Sequence, residues 1–148
     1  MKKELNDYRQ LEVQLVNLLL PVEPNSVGSG TIVGICRHYI KQDNMAKARD
    51  MVNRFLGYFP EDTGALIYKQ VLAEPSPAKV TEERRNQIEE EVLSSIKDPV
   101  QRGLELGIFY RRRREVDKAA DILKKVLDME ASHKKIPQSW FFSEAEED

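Results

Sequence analysis

The sequence predicts an all-α chain of about seven helices, an N-terminal helix followed by three antiparallel helix hairpins. Three observations carry this. Apolar residues recur at three- and four-residue steps along most of the chain, the spacing that lines one face of a helix. The alternating β-branched residues of a half-buried strand are hard to find, and glycine and proline are sparse, at seven each in 148 residues. Finally, the pattern of one stretch, from Leu104 to Val126, returns 71 residues upstream.

In the downstream stretch Leu106, Gly107 and Tyr110 fall on one helical face, since neighbours three and four residues apart meet. A polar break around Glu115 to Asp117 follows, and Ala119, Leu123 and Val126 then mark one face of a second helix. Gly107 and Ala119 are small where two antiparallel helices approach closely. The upstream copy aligns without gaps: Ile35, Cys36 and Tyr39 stand for the first trio, and Ala48, Val52 and Phe55 for the second. Pro60 closes that copy, because proline cannot continue a helical hydrogen-bond ladder.

An offset of 71 residues is about two periods of roughly 34 residues. The strings I-C-R-H-Y-x8-A-x11-P and L-G-I-F-Y-x8-A-x3-L resemble the tetratricopeptide-repeat pattern of small, aromatic, alanine, bulky apolar and proline positions. The resemblance covers about residues 29–131 and implies three hairpins stacked as a short right-handed superhelix. The sequence departs from the pattern at the repeat-start tryptophan (Ile32, Gly103), the interhelical glycine (Asp43, Arg114) and the last closing proline (Ala131). An ordinary helical bundle with coincidental spacing is the competing expectation.

Taken in order, residues 1–20 form an apolar helix. Leu5, Tyr8, Leu11, Leu15, Leu18 and Leu19 make one stripe, widened by Val13, Val16 and Leu20. A helix this apolar needs cover on much of its surface, so it is expected to cap the first repeat; the alternative is pairing with another copy through residues 5–20. Pro21 and Pro24 stop it, and Gly28 and Ser29 cap the helix that follows. The hairpins span about 30–58, 63–97 and 99–130. Asp62 or Thr63, Thr81 and Asp98 are placed to accept from helix N-terminal amides, and Pro99 suits a first helical position. A-S-H-K-K-I-P breaks the last helix near residue 130. Residues 133–148 form a tail with Trp140, Phe141 and Phe142 before an acidic end, expected to dock that aromatic cluster on an apolar surface.

Composition excludes several classes of function. No stretch approaches the ~18 apolar residues of a membrane span, and no small-residue cleavage site follows the N-terminal lysines. The single cysteine, Cys36, occupies a small-residue helix position and reads as a packed thiol. The expected setting is cytoplasmic, with the nucleus left open. Formal charge is −2, but Glu144, Glu146, Glu147 and Asp148 account for −4, which leaves a mildly basic body. His38 and His133 lie far apart without a ligand motif, and G-S-G-T lacks the lysine of a phosphate-binding loop. No metal, no cofactor and no catalytic group is expected.

The resemblance implies where binding would occur, on the first helix of each hairpin. That gathers Val33, Arg37 and Lys41, then Ile67 and Val71, then Leu104, Ile108, Arg111 and Arg112: an apolar floor with basic edges. The four arginines from Arg111 to Arg114 wrap a helix end, where cations are favoured by the helix dipole regardless of partner. The positions that clamp a C-terminal carboxylate in chaperone-binding members read Val33, Arg37, Gln101 and Glu105, so that partner is not implied. The expected function is a non-catalytic adaptor, scaffold or chaperone-like module holding an acidic or amphipathic protein segment. The alternatives are a self-associating assembly subunit and a nucleic-acid-binding repeat, the last disfavoured because no aromatic residues interleave the arginines.

Overall fold

Asp62 shows how this chain holds its helices together. Its carboxylate caps one helix, accepting from the Ala65 amide at 2.9 Å, and accepts the Ser29 hydroxyl of another at 2.7 Å. The computed structural model in which this is seen describes residues 2–134, with side chains described from 3 to 132. Seven helices run through them: α1 (Lys2–Leu19), α2 (Ser29–Lys41), α3 (Met45–Tyr58), α4 (Thr63–Leu72), α5 (Glu82–Ser94), α6 (Pro99–Arg112) and α7 (Val116–Lys134). Short 3-10 turns lie at Pro24–Ser26 and Pro77–Lys79, and no strand occurs among the described residues. The chain is thus all-α. The predicted tail, with its aromatic cluster, lies outside the described residues. The chain divides into two compact units, Met1–Val92 and Leu93–Asp148.

In the first unit α2 packs on α3, α3 on α4 and α2 on α4, with α1 laid against α2. The core they enclose holds Ile32, Ile35, Cys36, Val52, Phe55 and Leu72, joined by Ile88 from α5. Each large apolar side chain taken from water there contributes roughly 1.5–3 kcal/mol. The small residues of the upstream copy do meet: the Cys36 thiol donates to the Ala48 carbonyl at 3.7 Å. Where α2 and α4 begin, a Cβ on Gly64 would stand 2.7 Å from the Ser29 hydroxyl. Gly64 therefore permits the approach that Asp62 then fastens.

α1 is two-sided. Val16 and Leu20 are buried, and Val13 and Leu19 pack partly on the core. Asn6 Oδ1 lies 3.1 Å from His38 Nε2 and accepts from Gln42 Nε2 at 2.8 Å. The Arg9 guanidinium, paired with Glu12, lies over Gly34, where a Cβ would come within 2.8 Å of it. The expected leucine stripe is not the covered face: Leu5, Tyr8, Leu11, Leu15 and Leu18 point to solvent. The narrower row of Val13, Val16 and Leu20 is what caps α2.

In the second unit α6 and α7 pair antiparallel, as Gly103 faces Val126 and Gly107 faces Leu123. The tightest point is Gly103, where a Cβ would fall 2.1 Å from Val126 Cγ2. Gly107 and Ala119 are both buried, but the atoms nearest Gly107 belong to Leu123. Phe109 is buried and meets Tyr110 edge-on with centroids 5.3 Å apart. α7 does not stop near residue 130. It continues to Lys134, because Ala131 is a buried helix former and no proline intervenes before Pro137.

Two of the expected caps act as such: Thr81 Oγ1 accepts from the Arg84 amide at 3.1 Å and Asp98 from the Gln101 amide at 3.0 Å. Asn44, not anticipated, accepts from the Lys47 amide at 3.4 Å. α2 starts at Ser29 after Gly28, with no side-chain cap.

The α2–α3 and α6–α7 turns share one geometry. In each, the residue after the helical cap takes the left-handed conformation, Asp43 at φ 58° and Arg114 at φ 63°. The amide of Asn44 reaches the Tyr39 carbonyl at 2.8 Å, and that of Glu115 reaches Tyr110 at 2.8 Å. Asp43 bonds to Ile40 at 3.0 Å, and Arg114 to Arg111 at 2.9 Å. These paired bonds form a Schellman turn, which satisfies carbonyls left open at a helix end.

Candidate functional site

α2 carries Arg37 and Lys41 one helical turn apart on its exposed side. α4 brings Val71, buried at the floor, and Tyr68 beside it. The Pro77–Lys79 turn folds back against α2, and α5 adds Arg85. Together they enclose a depression of about 120 Å³, floored by Ile40, Val71 and Val80. The floor is apolar because α2 and α4 bury the adjoining residues in the core. The rim is basic because these three cations project outward from it.

No ion pair to Arg37, Lys41 or Arg85 occurs among the described residues, whereas neighbouring cations are engaged. Arg84 donates to Glu74 at 2.8 Å and ties α5 to the loop after α4. Arg49 donates to the Leu72 carbonyl at 3.1 Å. A larger depression, about 220 Å³, lies between α3 and α4 and is lined by both Arg49 and Lys69; Arg49 there spends one guanidinium N–H on a neutral carbonyl and keeps its charge. His38 reports the positive field beside the smaller site: burial lowers its pKa first, then Arg9 and Lys41.

The residues expected from sequence separate into two groups. Arg37, Lys41 and Val71 line this depression. Val33 is half-buried near Gly64, and Ile67 is half-buried against the core; neither reaches it. Leu104, Ile108, Arg111 and Arg112 belong to α6 in the second unit, where Leu104 and Ile108 are about half exposed. Tyr68, Val80 and Arg85 were not anticipated. Arg85 sits on a second helix, and the Pro77–Lys79 turn reads as loop, so neither carries a local signal of binding. Only Tyr68, an aromatic next to Ile67, could have been found.

Among the described residues no group of three or more His, Cys, Asp or Glu side chains is placed to hold a metal. Cys36 is fully buried, and burial pushes its pKa up to about 12, which keeps it the neutral thiol rather than the nucleophilic thiolate. No described helix is long and apolar enough to cross a membrane. Compared with known proteins, the chain matches no protein-family model, no curated protein and no solved structure at a significant level.

Proposed function

We propose that this chain is a non-catalytic adaptor that holds an acidic, partly apolar protein segment at the depression between α2, α4 and the Pro77–Lys79 turn. The observation that carries the reading is the convergence of Arg37, Lys41 and Arg85 around an apolar floor. An apolar side chain of the segment fills the floor, and carboxylates on either side meet the cations. Such division of labour is usual where a peptide docks on helices: apolar anchors supply affinity, and charge supplies orientation and encounter rate.

A tetratricopeptide-like stacking of helices belongs to the same proposal. It is supported by the packing of α2 on both α3 and α4 and by the matching Schellman turns. In that arrangement α2 and α4 are successive first helices, the ones expected to present ligand contacts. An intracellular setting belongs to it as well, supported by the single packed thiol of Cys36.

Fluorescence anisotropy with the full chain tests the reading. The probes are labelled peptides in which leucine or phenylalanine is flanked by glutamates, compared with glutamine versions. Tighter binding of the acidic set, weakening as salt is raised, is the expected result. Arg37→Glu/Lys41→Glu is expected to lower affinity about tenfold, since exposed ion pairs contribute roughly 0.2–1 kcal/mol each and reversal adds repulsion. Equal binding of glutamine peptides, or of the double variant, would reject the depression as the site.

A further inference from the structure

One face of α6 changes character along its length. Leu104, Ile108 and Arg111 follow at steps of four and three residues, with Arg112 one turn past Ile108, so they share one side of the helix. Leu104 and Ile108 are 49% and 48% exposed, and both arginines are exposed. The side turned to α7 is the one that carries Gly103 and Gly107. The exposed face is thus apolar in the first half of α6 and basic at its end. Around that end stand Arg111 to Arg114 and Lys118, against Glu115 and Asp117. Four guanidinium charges outweigh the roughly half negative charge of a helix C-terminus, so this end attracts carboxylates. The exposed apolar residues of α7, Val116, Leu123 and Met129, are seven and six residues apart and form no adjoining pair of this kind.

We infer that residues 140–148 of the same chain dock on this face. Trp140, Phe141 and Phe142 lie on Leu104 and Ile108, and the acidic residues from Glu144 to Asp148 meet Arg111 and Arg112. Sequence order selects this occupant. W-F-F-S-E-A-E-E-D is aromatic first and acidic after, as the α6 face is apolar first and basic after. The end of α7 sets the direction. α7 runs antiparallel to α6, and Lys134 is eight residues beyond Val126, the neighbour of Gly103, which carries the chain about 12 Å past the level of Gly103. Pro137 cannot continue the helical ladder, and the chain turns back there. Trp140 and Phe142 are six and eight residues after Lys134, a reach of up to about 20–26 Å, enough to return to Leu104 and cross to the exposed face. Glu144 and Glu147 come two and five residues after Phe142, up to about 7–17 Å further. Arg111 and Arg112 lie about 5–6 Å past Ile108 along the axis, within that span. The segment therefore runs parallel to α6 and makes both matches in one pass. Glu105 flanks the face at the level of Leu104, where the aromatic residues and not the carboxylates are placed. A segment tethered this closely meets its target at an effective concentration in the millimolar range, which favours the same chain over a second copy. The surface lies on α6, apart from the depression proposed for ligand binding, so the two inferences stand or fall separately.

Trp140 is the one tryptophan of the chain, so its fluorescence reads the docking without a label. In the full chain, blue-shifted emission and slow quenching by acrylamide are expected, both unchanged by about a hundredfold dilution because the contact is intramolecular. Arg111→Glu/Arg112→Glu is expected to lower the docking equilibrium constant about tenfold, which shifts emission to the red and speeds quenching. The circular-dichroism spectrum is expected to stay unchanged, since both side chains are exposed. Adding Ile108→Asp is expected to release Trp140 to solvent. Combining Arg111→Glu/Arg112→Glu with Glu144→Lys/Glu146→Lys/Glu147→Lys is expected to restore the wild-type signal, and Arg37→Glu/Lys41→Glu to leave it unaltered. A solvent-like Trp140 in the wild type would overturn the inference. So would a shielded Trp140 indifferent to all three α6 changes, or one released by Arg37→Glu/Lys41→Glu. Quenching that speeds up on dilution would overturn docking within one chain, and a charge reversal that restores nothing would overturn the pairing of the acidic residues with the arginines.

Discussion

Asp43 and Arg114, 71 residues apart, occupy the same left-handed position in two matching turns, at φ 58° and 63°. Neither is glycine, the residue that takes this conformation without steric cost. Asp tolerates it better than a long side chain does, because its short polar group can bond locally. Arg114→Gly is therefore expected to raise stability by about 0.5–1 kcal/mol, and Asp43→Gly by less. Urea unfolding of the two variants checks the order, which would be lost if glycine's greater freedom in the unfolded chain dominated.

Gly103 gives the opposite expectation. A methyl group there would meet Val126 at 2.1 Å, so Gly103→Ala is expected to destabilise by about 1–3 kcal/mol through overpacking. Combining it with Val126→Ala should cost less than the two single effects added together, since the second change removes the clash. Gly57 also lies in a helix, but a methyl group added there would have nothing within 4 Å; Gly57→Ala is expected to be neutral or to stabilise by up to about 1 kcal/mol. Thermal unfolding of the four proteins separates these outcomes.

Removing the Asp62 carboxylate releases two bonds at once, one to Ala65 and one to Ser29. Asp62→Ala is expected to cost about 1–2 kcal/mol, and Ser29→Ala less, because Asp62 then still caps α4. Chemical denaturation of both variants and their combination measures the coupling. A combined loss equal to the two losses added would show that the Ser29 bond is independent of the cap.

Cys36 predicts a pH effect of known sign. Its ordinary pKa of 9.0 rises to about 12 on burial. Below pH 9 the thiol is protonated in folded and unfolded chains alike and adds no pH dependence. Above pH 9 the unfolded chain releases the proton while the folded chain keeps it, so stability falls by about 1.4 kcal/mol per pH unit until about pH 12. Comparison with Cys36→Ala isolates this slope from other alkaline titrations. Thiol reagents are expected to label the wild type only as fast as it unfolds.

The sequence reveals what is governed by neighbours along the chain. Asp62, Thr81 and Asp98 announce their helices because a cap acts within three residues. The two Schellman turns were legible as equivalent positions, since the flanking aromatic and alanine residues recur at one offset. The sidedness of α1 was not, because both faces are apolar. Leucines outnumber the valines, yet Val16 is buried and Leu15 exposed. The depression between α2, α4 and the Pro77–Lys79 turn was half legible. Arg37, Lys41 and Val71 were picked out by the repeat resemblance, but Arg85 arrives through the fold-back of the Pro77–Lys79 turn, a tertiary contact with no local periodicity. Gly103 stood out as a departure from the repeat pattern, and its role as the closest helix–helix approach needed the position of Val126.

The α6–α7 pair also bears on how the chain acquires its structure. Its closest contacts, Gly103 with Val126 and Gly107 with Leu123, span few residues, and one three-residue turn brings them together. In the other unit, Ser29 must find Asp62 and Ile88 must return to a core that includes Val16. Chain closure costs more entropy as the loop lengthens, and local topology speeds folding. The hairpin around Arg114 is thus set to order early, and the unit that bears the proposed ligand site to order later. Hydrogen-exchange labelling during refolding would then protect the amides of α6 before those of α2.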